Sequence, residues 1–569
     1  MHSAARSSGG QPKLMFKPKP YWCPELSRLR DRKRFWWHIW DANGRPRQGI
    51  VYDCYKGTKK MFRKICRQKM QCVVSNEFQN INSLFTARKM TAFWNKIKFR
   101  KDKNVQSTLN ERDFAMYYEG IMGTEGGDFD DQHRAVSEMV SDTLTQYREN
   151  IIHENFTQSD IDLAIQALRK NVSPGIDGIC PEHFIYGKCE ELLAHLSSLY
   201  NRLFLSCDIP SVLALGVIIP VLKKSTLDPN STCHYRPITL SSTHSKLIET
   251  LLMPQDDAHP NQFGFRKGRS TAMACNLLND LAHYCDFHGS PLYVCSLDAE
   301  KCFDSVWHDG LFFKLIDKLP QSHWLFLYTW YKSMKCVVRW NGSLSESFCI
   351  KRGTKQGSVL SPILFNIFIN DLLIELAGCD YGVRIGTNVF NSFAYADDIS
   401  VASLTTTGLQ SLINICYQYA KKWRFSFGIL KTKCCTLGTG ILKHDPEWYL
   451  GDHIIDTAAT LEILGTTFSC DLSAKAHIEK RIHASRRAMY SLAPVGCSYP
   501  GLCTEAKAHL WKAVGQTSLL YCLDIFSLTS SAPKLGLLRA HRDLQSNEFW
   551  DSLCVLTIPA YLTQPEYTL

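Results

Sequence analysis

The sequence lacks the long apolar runs that mark membrane proteins and secreted precursors. Its longest apolar stretch, residues 212–222, is interrupted by Gly216 and Pro220 and is much shorter than the roughly 20 residues of a membrane-spanning helix. The first 20 residues are basic and polar without an apolar segment. We therefore expect no secretory signal, an intracellular protein and no membrane partner.

Cysteine is abundant but is not arranged for disulfide bonds or zinc. None of the 23 cysteines belongs to a CxxC pair, and no Cys and His cluster has zinc-finger spacing. We expect reduced, mostly buried thiols that pack as small hydrophobic side chains. Hydrophobic residues make up 45% of the 569 residues and charged residues 21%. This composition excludes a disordered or fibrous chain and is sufficient for about three to four globular domains.

Positive charge is confined to one end of the chain. Residues 1–110 hold 25 Lys and Arg against 6 Asp and Glu, whereas the other 459 residues hold 40 against 48. Spaced apolar residues in this basic region predict amphipathic helices, and Trp36 and Trp37 lie among the cations. Such a surface suits contact with a phosphate backbone and stacking on bases. A solvated helix whose tryptophans pack against the next domain explains the same pattern.

The remaining sequence predicts an α+β fold. Residues 111–159 are polar and acidic with few large aliphatic side chains, which is typical of a linker with a mobile loop. The β-branched runs at 216–222 and 235–240 predict a hairpin, and residues 392–403 predict another. Between and around these hairpins short strands alternate with helices, and after Leu472 the pattern is helical and basic.

Three aspartates occur where predicted strands end or turn. Asp298 closes the strand-like run 291–298, and Asp397 and Asp398 lie between the apolar stretches of the second hairpin. If the strands are neighbours, like charges raise one another's pKa unless a cation neutralises them. Oxygen ligands of this kind suit Mg²⁺, and two such ions support in-line phosphoryl transfer. Because an Asp-Asp pair is also common in turns, spacing alone leaves both interpretations open.

The blocks around these aspartates form a collinear series of motifs. The series is SPGIDGI (173–179), IIPVLKK (218–224), YRPITL (235–240), KLIE (246–249), QFGFRKGRSTA (262–272), SLDAEKCFDSV (296–306), GTKQGSVLSPILFNIFINDL (353–372), YADD (395–398), KTK (431–433) and LEILG (461–465). Over roughly residues 160–515 the chain resembles the reverse transcriptases of non-LTR (LINE-type) retrotransposons. The basic N-terminal region resembles the connector that follows an endonuclease in some of these elements, so we expect an excerpt of a longer protein that lacks the endonuclease.

The resemblance implies a right-hand polymerase with fingers, palm and thumb and a basic helical N-terminal extension. We expect the extension at 1–110, the acidic linker at 111–159, fingers at 160–290, a palm at 291–470 and a truncated, helical thumb-like region at 471–569. The implied partners are an RNA template, a DNA primer or target and dNTPs, and the implied cofactors are two Mg²⁺ ions, with Mn²⁺ as a substitute. Target-primed integration implies nuclear action. The alternative is a degenerate fragment that binds RNA on the polymerase scaffold without catalysis.

The resemblance also implies roles for individual residues. Asp298 and Asp397 would bind the metals, and Asp398 would support the site or the primer end. The expected nucleotide-binding residues are Lys223, Lys224, Arg236, Lys301, Cys302, Phe303, Gln356, Gly357 and Lys431. Among them Phe303 would exclude a 2′-hydroxyl, and Lys431 would lie near the leaving pyrophosphate, with Lys433 as its competitor. The expected nucleic-acid-binding residues are Arg266, Lys267, Arg269, Trp36 and Trp37.

Some blocks depart from the family's pattern. Ile176 stands where proline is usual, the segment between the KLIE and QFGFRKG blocks is short, and the KTK block lacks an upstream Asn. These departures affect turns and fingers. They leave the three aspartates in place.

Overall fold

The chain is a mixture of α-helices and short β-strands. The computed structural model describes residues 19–101, 107–124, 129–150, 152–224, 227–438, 446–492 and 501–526. Predictions made for residues 1–18, for residues 125–128 of the expected linker and for residues 527–569 lie outside these ranges. None of the described helices is long and apolar enough to span a bilayer.

The helices are α1 (Pro24–Ala42), α2 (Ile50–Thr86), α3 (Met90–Lys101), α4 (Glu111–Met122), α5 (Asp131–Glu149), α6 (Gln158–Gln166), α7 (Pro181–Tyr186), α8 (Glu190–Ser206), α9 (Ser211–Ala214), α10 (Thr243–Leu251), α11 (Thr271–Phe287), α12 (Cys302–Ser305), α13 (His308–Leu315), α14 (Gln321–Ser333), α15 (Ser361–Ala377), α16 (Thr406–Lys422), α17 (Lys475–Tyr490), α18 (Thr504–Leu510) and α19 (Thr517–Leu520). The strands are β1 (Leu215–Leu222), β2 (Tyr235–Leu240), β3 (Leu292–Asp298), β4 (Lys335–Trp340), β5 (Ser343–Leu344), β6 (Phe348–Cys349), β7 (Val383–Ile385), β8 (Asn388–Phe390), β9 (Ser392–Tyr395), β10 (Asp398–Ser403), β11 (Lys433–Leu437), β12 (Tyr449–Leu450), β13 (His453–Ile454), β14 (Asp456–Thr457), β15 (Thr460–Ile463) and β16 (Thr466–Ser469).

The chain divides into two compact units. Of the described residues, the first unit holds 19–101 together with 481–492 and 501–521, and the second unit holds the rest. In the first unit α1 packs along α2, where the Trp40 and Tyr55 rings stack with centroids 4.8 Å apart. The sequence patterns assign residues 19–101 and residues 481–521 to separate segments, the N-terminal extension and the thumb-like region. Nothing in their local patterns indicates that they form one unit.

The second unit contains two five-stranded sheets. In the first sheet the order is β2-β1-β4-β5, and β6 also pairs with β4. In the second sheet, called the central sheet below, the order is β14-β11-β3-β10-β9. Strands β3 and β10 are antiparallel neighbours, and helices α11 and α16 contact β3. Leu292, Val294 and Leu297 of β3 have no exposed surface, as expected for a strand inside a sheet that helices cover.

Both predicted hairpins are confirmed. Strand β1 pairs with β2 in antiparallel register from Val217 opposite Leu240 to Leu222 opposite Tyr235. Strand β9 pairs with β10 through the turn that contains Asp397. The β-branched and alternating patterns of these segments were sufficient to predict them, because each hairpin forms between residues that are close in sequence.

The linker predicted at 111–159 is wrong, because this segment forms helices α4 and α5 and the start of α6. Phe114 and Tyr118 are almost fully buried in the core of the second unit. The Asn110 and Asp130 side chains cap α4 and α5, each within a capping box. The buried residues recur every three or four positions in each helix, so a polar composition still provides a buried stripe.

Candidate active site

The three aspartates meet at one end of the central sheet. Asp298 ends β3 and lies directly opposite Asp398 in the antiparallel register of β3 with β10. Asp397 lies in the tight turn between β9 and β10, where Tyr395 pairs with Asp398. Directly opposed residues in antiparallel strands have their Cβ atoms about 4.5–5.5 Å apart. The strand register therefore brings together the three carboxylates that the sequence predicted as a group.

Burial and mutual repulsion govern the charges of this group. Burial raises the pKa of Asp398 to about 6, and the negative charges of Asp397 and Asp298 act in the same direction. Burial also raises the pKa of Asp397, against a hydrogen bond from the Cys302 thiol. The Lys431 ammonium lies 2.6 Å from Oδ2 of Asp298. The arrangement holds more negative charge than one lysine balances and is therefore suited to a further cation.

The donor atoms of the group fit a hard divalent cation. All three side chains present carboxylate oxygens, which Mg²⁺ prefers, and Mg²⁺ retains several waters rather than requiring a closed protein cage. Within the described ranges no three His, Cys, Asp or Glu side chains form a preformed metal cluster. Asp298, Asp397 and Asp398 are the residues that would hold such an ion.

Cationic side chains from separate motifs gather near the aspartates. The pKa of Lys223 is lowered by burial and by the positive charges of Lys431, Lys301 and Arg236. The Lys223 ammonium donates a hydrogen bond to the Cys233 carbonyl oxygen at 2.8 Å. These cations repel one another in the absence of an anion, so an anionic ligand placed among them is stabilised.

Comparison with known proteins identifies the domain that carries these residues. Residues 221–468 match the family described as "Reverse transcriptase (RNA-dependent DNA polymerase)". The chain carries a reverse transcriptase domain. The matched span contains the three aspartates and the four cations near them.

Relatives with similar sequences carry names of the same kind. The chain is 24% identical over 413 residues to "RNA-directed DNA polymerase from mobile element jockey" of Drosophila funebris, and the matched region covers 69% of the chain and 44% of the relative. It is 28% identical over 341 residues to "Probable RNA-directed DNA polymerase from transposon BS" of Drosophila melanogaster, and the matched region covers 56% of the chain and 36% of the relative. The chain thus spans less than half the length of these curated relatives. The resemblance to non-LTR retrotransposon reverse transcriptases is confirmed.

Phe303 of the reverse transcriptase domain is held by two other aromatic rings. It stacks on Phe365 of α15 with ring centroids 4.6 Å apart and meets the edge of Phe265 at 5.9 Å. Contacts of this geometry fix the plane of a ring. The structure brings the three rings together, and the predicted exclusion of a 2′-hydroxyl by Phe303 stays a prediction.

The nucleotide-binding role predicted for Lys301 and Cys302 rests on backbone N–H groups just after β3, where a helix follows, and it stays a prediction. Helix α12 has only four residues, so it lacks the aligned peptide dipoles of a longer helix. The Cys302 side chain is buried and forms a hydrogen bond with Asp397. Lys301 has φ +47°, and its exposed ammonium lies 5.1 Å from the centre of the Tyr117 ring. Of the two side chains, only that of Lys301 is exposed.

The basic residues of the 262–272 block have different surroundings. The Arg266 side chain is 17% exposed and pairs with Asp256 at 3.0 Å, and it also donates a hydrogen bond to the His259 carbonyl oxygen at 3.0 Å. Arg266 therefore stabilises the loop that contains Asp256 and His259. Lys267 and Arg269 are exposed and remain the better candidates for contact with a nucleic-acid backbone.

The predicted stacking tryptophans lie in the first unit. Trp37 of α1 is 37% exposed, and its ring meets His38 at 4.9 Å. Trp36 is half-buried and lies edge-on to Phe35 at 5.6 Å. Of the two, Trp37 presents more surface to a ligand, and both stacking roles stay predictions.

Gln356 is anchored by an aspartate that the sequence did not predict as functional. Its Nε2 donates hydrogen bonds to both carboxylate oxygens of Asp304, at 2.8 and 2.9 Å. The backbone carbonyl oxygen of Gln356 accepts a hydrogen bond from the Thr239 N–H at 2.7 Å. Gly357 follows with φ +107°, and a Cβ there would lie 3.0 Å from the Thr239 carbonyl oxygen. The signal that was missed is the acidic residue inside the apolar run CFDSV.

Burial raises the pKa of Asp304 to about 6, and the Gln356 hydrogen bonds oppose this shift. A carboxyl whose pKa is higher in the folded state contributes stability below its unfolded pKa, near 4, that is lost as the pH rises through 6. In the wild type we expect the free energy of unfolding to fall between pH 4 and pH 7 by up to about 3 kcal/mol because of Asp304. We expect Asp304→Asn to abolish this contribution. Urea unfolding at pH 4 and pH 7 measures the free energy of unfolding of both proteins.

The matched control is Asp208→Asn, because Asp208 is exposed. It should leave the pH dependence of the wild type unchanged. If Asp304→Asn shifts the unfolding free energy equally at the two pH values, ionisation of Asp304 does not contribute as described.

Proposed function

We propose that the chain is an RNA-directed DNA polymerase from a non-LTR retrotransposon that extends a primer 3′-hydroxyl with dNTPs. The observation that carries the proposal is the register of β3 with β10. It sets Asp298 opposite Asp398, beside Asp397, inside the span that matches the reverse transcriptase family. An RNA template and a DNA primer or target are the partners that this reaction requires.

The three aspartates supply the negative charge that would hold two Mg²⁺ ions, with Mn²⁺ as a substitute. Divalent cations, when bound, supply Lewis-acid activation of the hydroxyl and neutralise phosphate charge. Asp298 and Asp397 are the proposed ligands, and Asp398 supports them from across the strand pair. The half-burial of these side chains strengthens each electrostatic interaction relative to bulk water.

The cations of the chain bind the triphosphate and its leaving group in this proposal. Lys223, Arg236 and Lys301 attract the triphosphate, with Lys224 beside them, and Lys431 stabilises the pyrophosphate as it leaves. Arginine is suited to bidentate contact with phosphate oxygens. Gln356 and Gly357 form the loop against which the nucleotide packs, and the Phe303 ring excludes a 2′-hydroxyl.

The right-hand arrangement is part of the same proposal. The β1–β2 hairpin and its helices correspond to fingers, the central sheet to the palm, and the helices after residue 471 to a thumb-like region. The support is the order of the motifs and the strand order β14-β11-β3-β10-β9. Priming at a nicked chromosomal target would require the activity in the nucleus.

In this proposal the basic helices of the first unit form a binding surface for nucleic acid, called the grip below. Exposed cations follow α2 along its N-terminal half: Lys56, Lys60, Arg63, Lys64 and Arg67. Aromatic rings lie among them, with the Lys59 ammonium 5.3 Å from the centre of the Tyr55 ring. Dense exposed cations bind a phosphate backbone without reading its sequence.

Primer extension tests the activity. With a primed homopolymer RNA, labelled dTTP and Mg²⁺, the wild type should extend the primer, and Asp397→Asn should lower the rate by at least about 100-fold, since it removes a negative charge that would hold the divalent cation at the reacting phosphate. The matched control is Asp452→Asn, at an exposed position between β12 and β13, which should extend like the wild type. Equal incorporation by wild type and Asp397→Asn contradicts the site. Tight RNA binding without extension by the wild type indicates the scaffold alternative.

The two lysines of the KTK block provide a second test. Lys431 lies 2.6 Å from Asp298, whereas Lys433 lies 3.5 Å from Asp456 of β14. We expect Lys431→Ala to lower kcat by about 100-fold, as for loss of a group that stabilises or protonates the leaving group, and Lys433→Ala to retain kcat. Both ion pairs are largely exposed, so neither substitution should change the unfolding free energy by more than about 1 kcal/mol. A larger loss of kcat for Lys433→Ala would reverse the assignment.

Salt dependence tests the grip. Changing Lys60, Arg63 and Lys64 to Gln should reduce the slope of log K for single-stranded RNA against log salt by about 2, because each released counterion contributes about 0.7. The control changes the exposed Arg169, Lys170 and Arg202 of the second unit to Gln. An unchanged slope for the α2 variant in filter binding contradicts the proposed grip.

A further inference from the structure

We propose that Gln262 is a positioning residue that sets the backbone of the turn carrying Asp397. The inference rests on the proposed function for its catalytic meaning. Its structural part stands on contacts between the 261–264 segment and the β9–β10 turn.

The Gln262 side chain is buried and bridges two backbone groups. It is 1% exposed. Its Oε1 accepts hydrogen bonds from the N–H of Ala396 at 2.9 Å and from the N–H of Gly264 at 2.8 Å. One oxygen thus ties the residue immediately before Asp397 to a loop more than a hundred positions earlier in the chain.

Backbone pairing holds the same segment against β9. The Asn261 carbonyl oxygen accepts a hydrogen bond from the Ala394 N–H at 2.9 Å, and the Ala394 carbonyl oxygen accepts one from the Phe263 N–H at 2.8 Å. On the other side, the Asn366 amide of α15 donates a hydrogen bond to the Gly264 carbonyl oxygen at 3.0 Å. Gln262 is therefore fixed from both directions, so its oxygen has a defined position.

The turn needs this support because its backbone is in an unfavourable conformation. Ala396 has φ +58°, a left-handed conformation that residues with a Cβ seldom adopt. Ala396 is also buried, so its N–H would lack a partner if the Gln262 oxygen were removed. Relaxation of Ala396 to a negative φ would rotate the next peptide and move the Asp397 carboxylate away from Asp298.

Gly264 also contributes to the position of the turn. A Cβ at this position would lie 2.3 Å from the Ala396 nitrogen, a distance that only displacement of the turn can relieve. The absence of a side chain at residue 264 lets the loop approach the turn closely enough for the Gln262 hydrogen bond.

The experiment compares Gln262→Met, which keeps the volume but removes the acceptor, with Gln262→Met/Ala396→Gly in the full chain. We expect Gln262→Met to lower kcat for primer extension by about 100-fold with KM for dTTP within about twofold. The double variant should regain at least about tenfold, because glycine adopts positive φ without strain. A purely structural loss of packing would not be rescued by removing a methyl group from Ala396, so absence of rescue overturns the inference.

Hydrogen exchange provides a readout that does not depend on activity. In mass spectrometry of peptides covering residues 393–399, Gln262→Met should exchange at least one amide about tenfold faster than the wild type, and Gly264→Ala should show the same change. Ala396→Gly should not restore kcat to Gly264→Ala, because the clash there involves backbone nitrogen. Faster exchange in a chain that never extends a primer would refute the proposed function but support the positioning role. Unchanged exchange in both variants overturns the positioning role.

Discussion

The antiparallel pairing of β3 with β10 is the constraint on which the site depends. In this register Asp298 and Asp398 are opposite each other, and a shift of one residue would turn one of them to the other face of the sheet. The register is secured by burial, since Leu297 and Ile399, which are opposite each other, have no exposed surface. The packing of the core thus holds like charges together that would otherwise separate.

The surroundings of the aspartates counter the repulsion with cations and buried hydrogen bonds from distant parts of the chain. Lys431 pairs with Asp298, and Cys302 bonds to Asp397. Buried polar side chains contribute to holding two loops: Asp304 accepts hydrogen bonds from the Gln356 side chain, and Gln262 accepts one from the Ala396 N–H in the Asp397 turn. Hydrogen bonds of this kind are worth more when buried, and their loss leaves an unpaired group. The loops can therefore be well ordered without regular secondary structure.

Local patterns predicted the elements that form between near neighbours. The two hairpins and β3 were visible as β-branched or alternating runs. Helices α4 and α5 were missed, because a low aliphatic content was taken to indicate a linker, although residues such as Phe114 and Tyr118 follow a helical spacing. The length of helix α12, which begins at Cys302, was likewise not visible in the sequence.

The sequence by itself determined the order of the motifs, the resemblance to reverse transcriptases and the identity of the three aspartates, because each of these is a property of neighbouring residues and their spacing. The tertiary structure decided that Lys431 rather than Lys433 meets Asp298, and that Asp304 and Gln262 hold the loops around the site. These partners are separated by tens to more than a hundred residues. Their meeting depends on sheet register and on burial, which set the distances between side chains only after the whole second unit has packed.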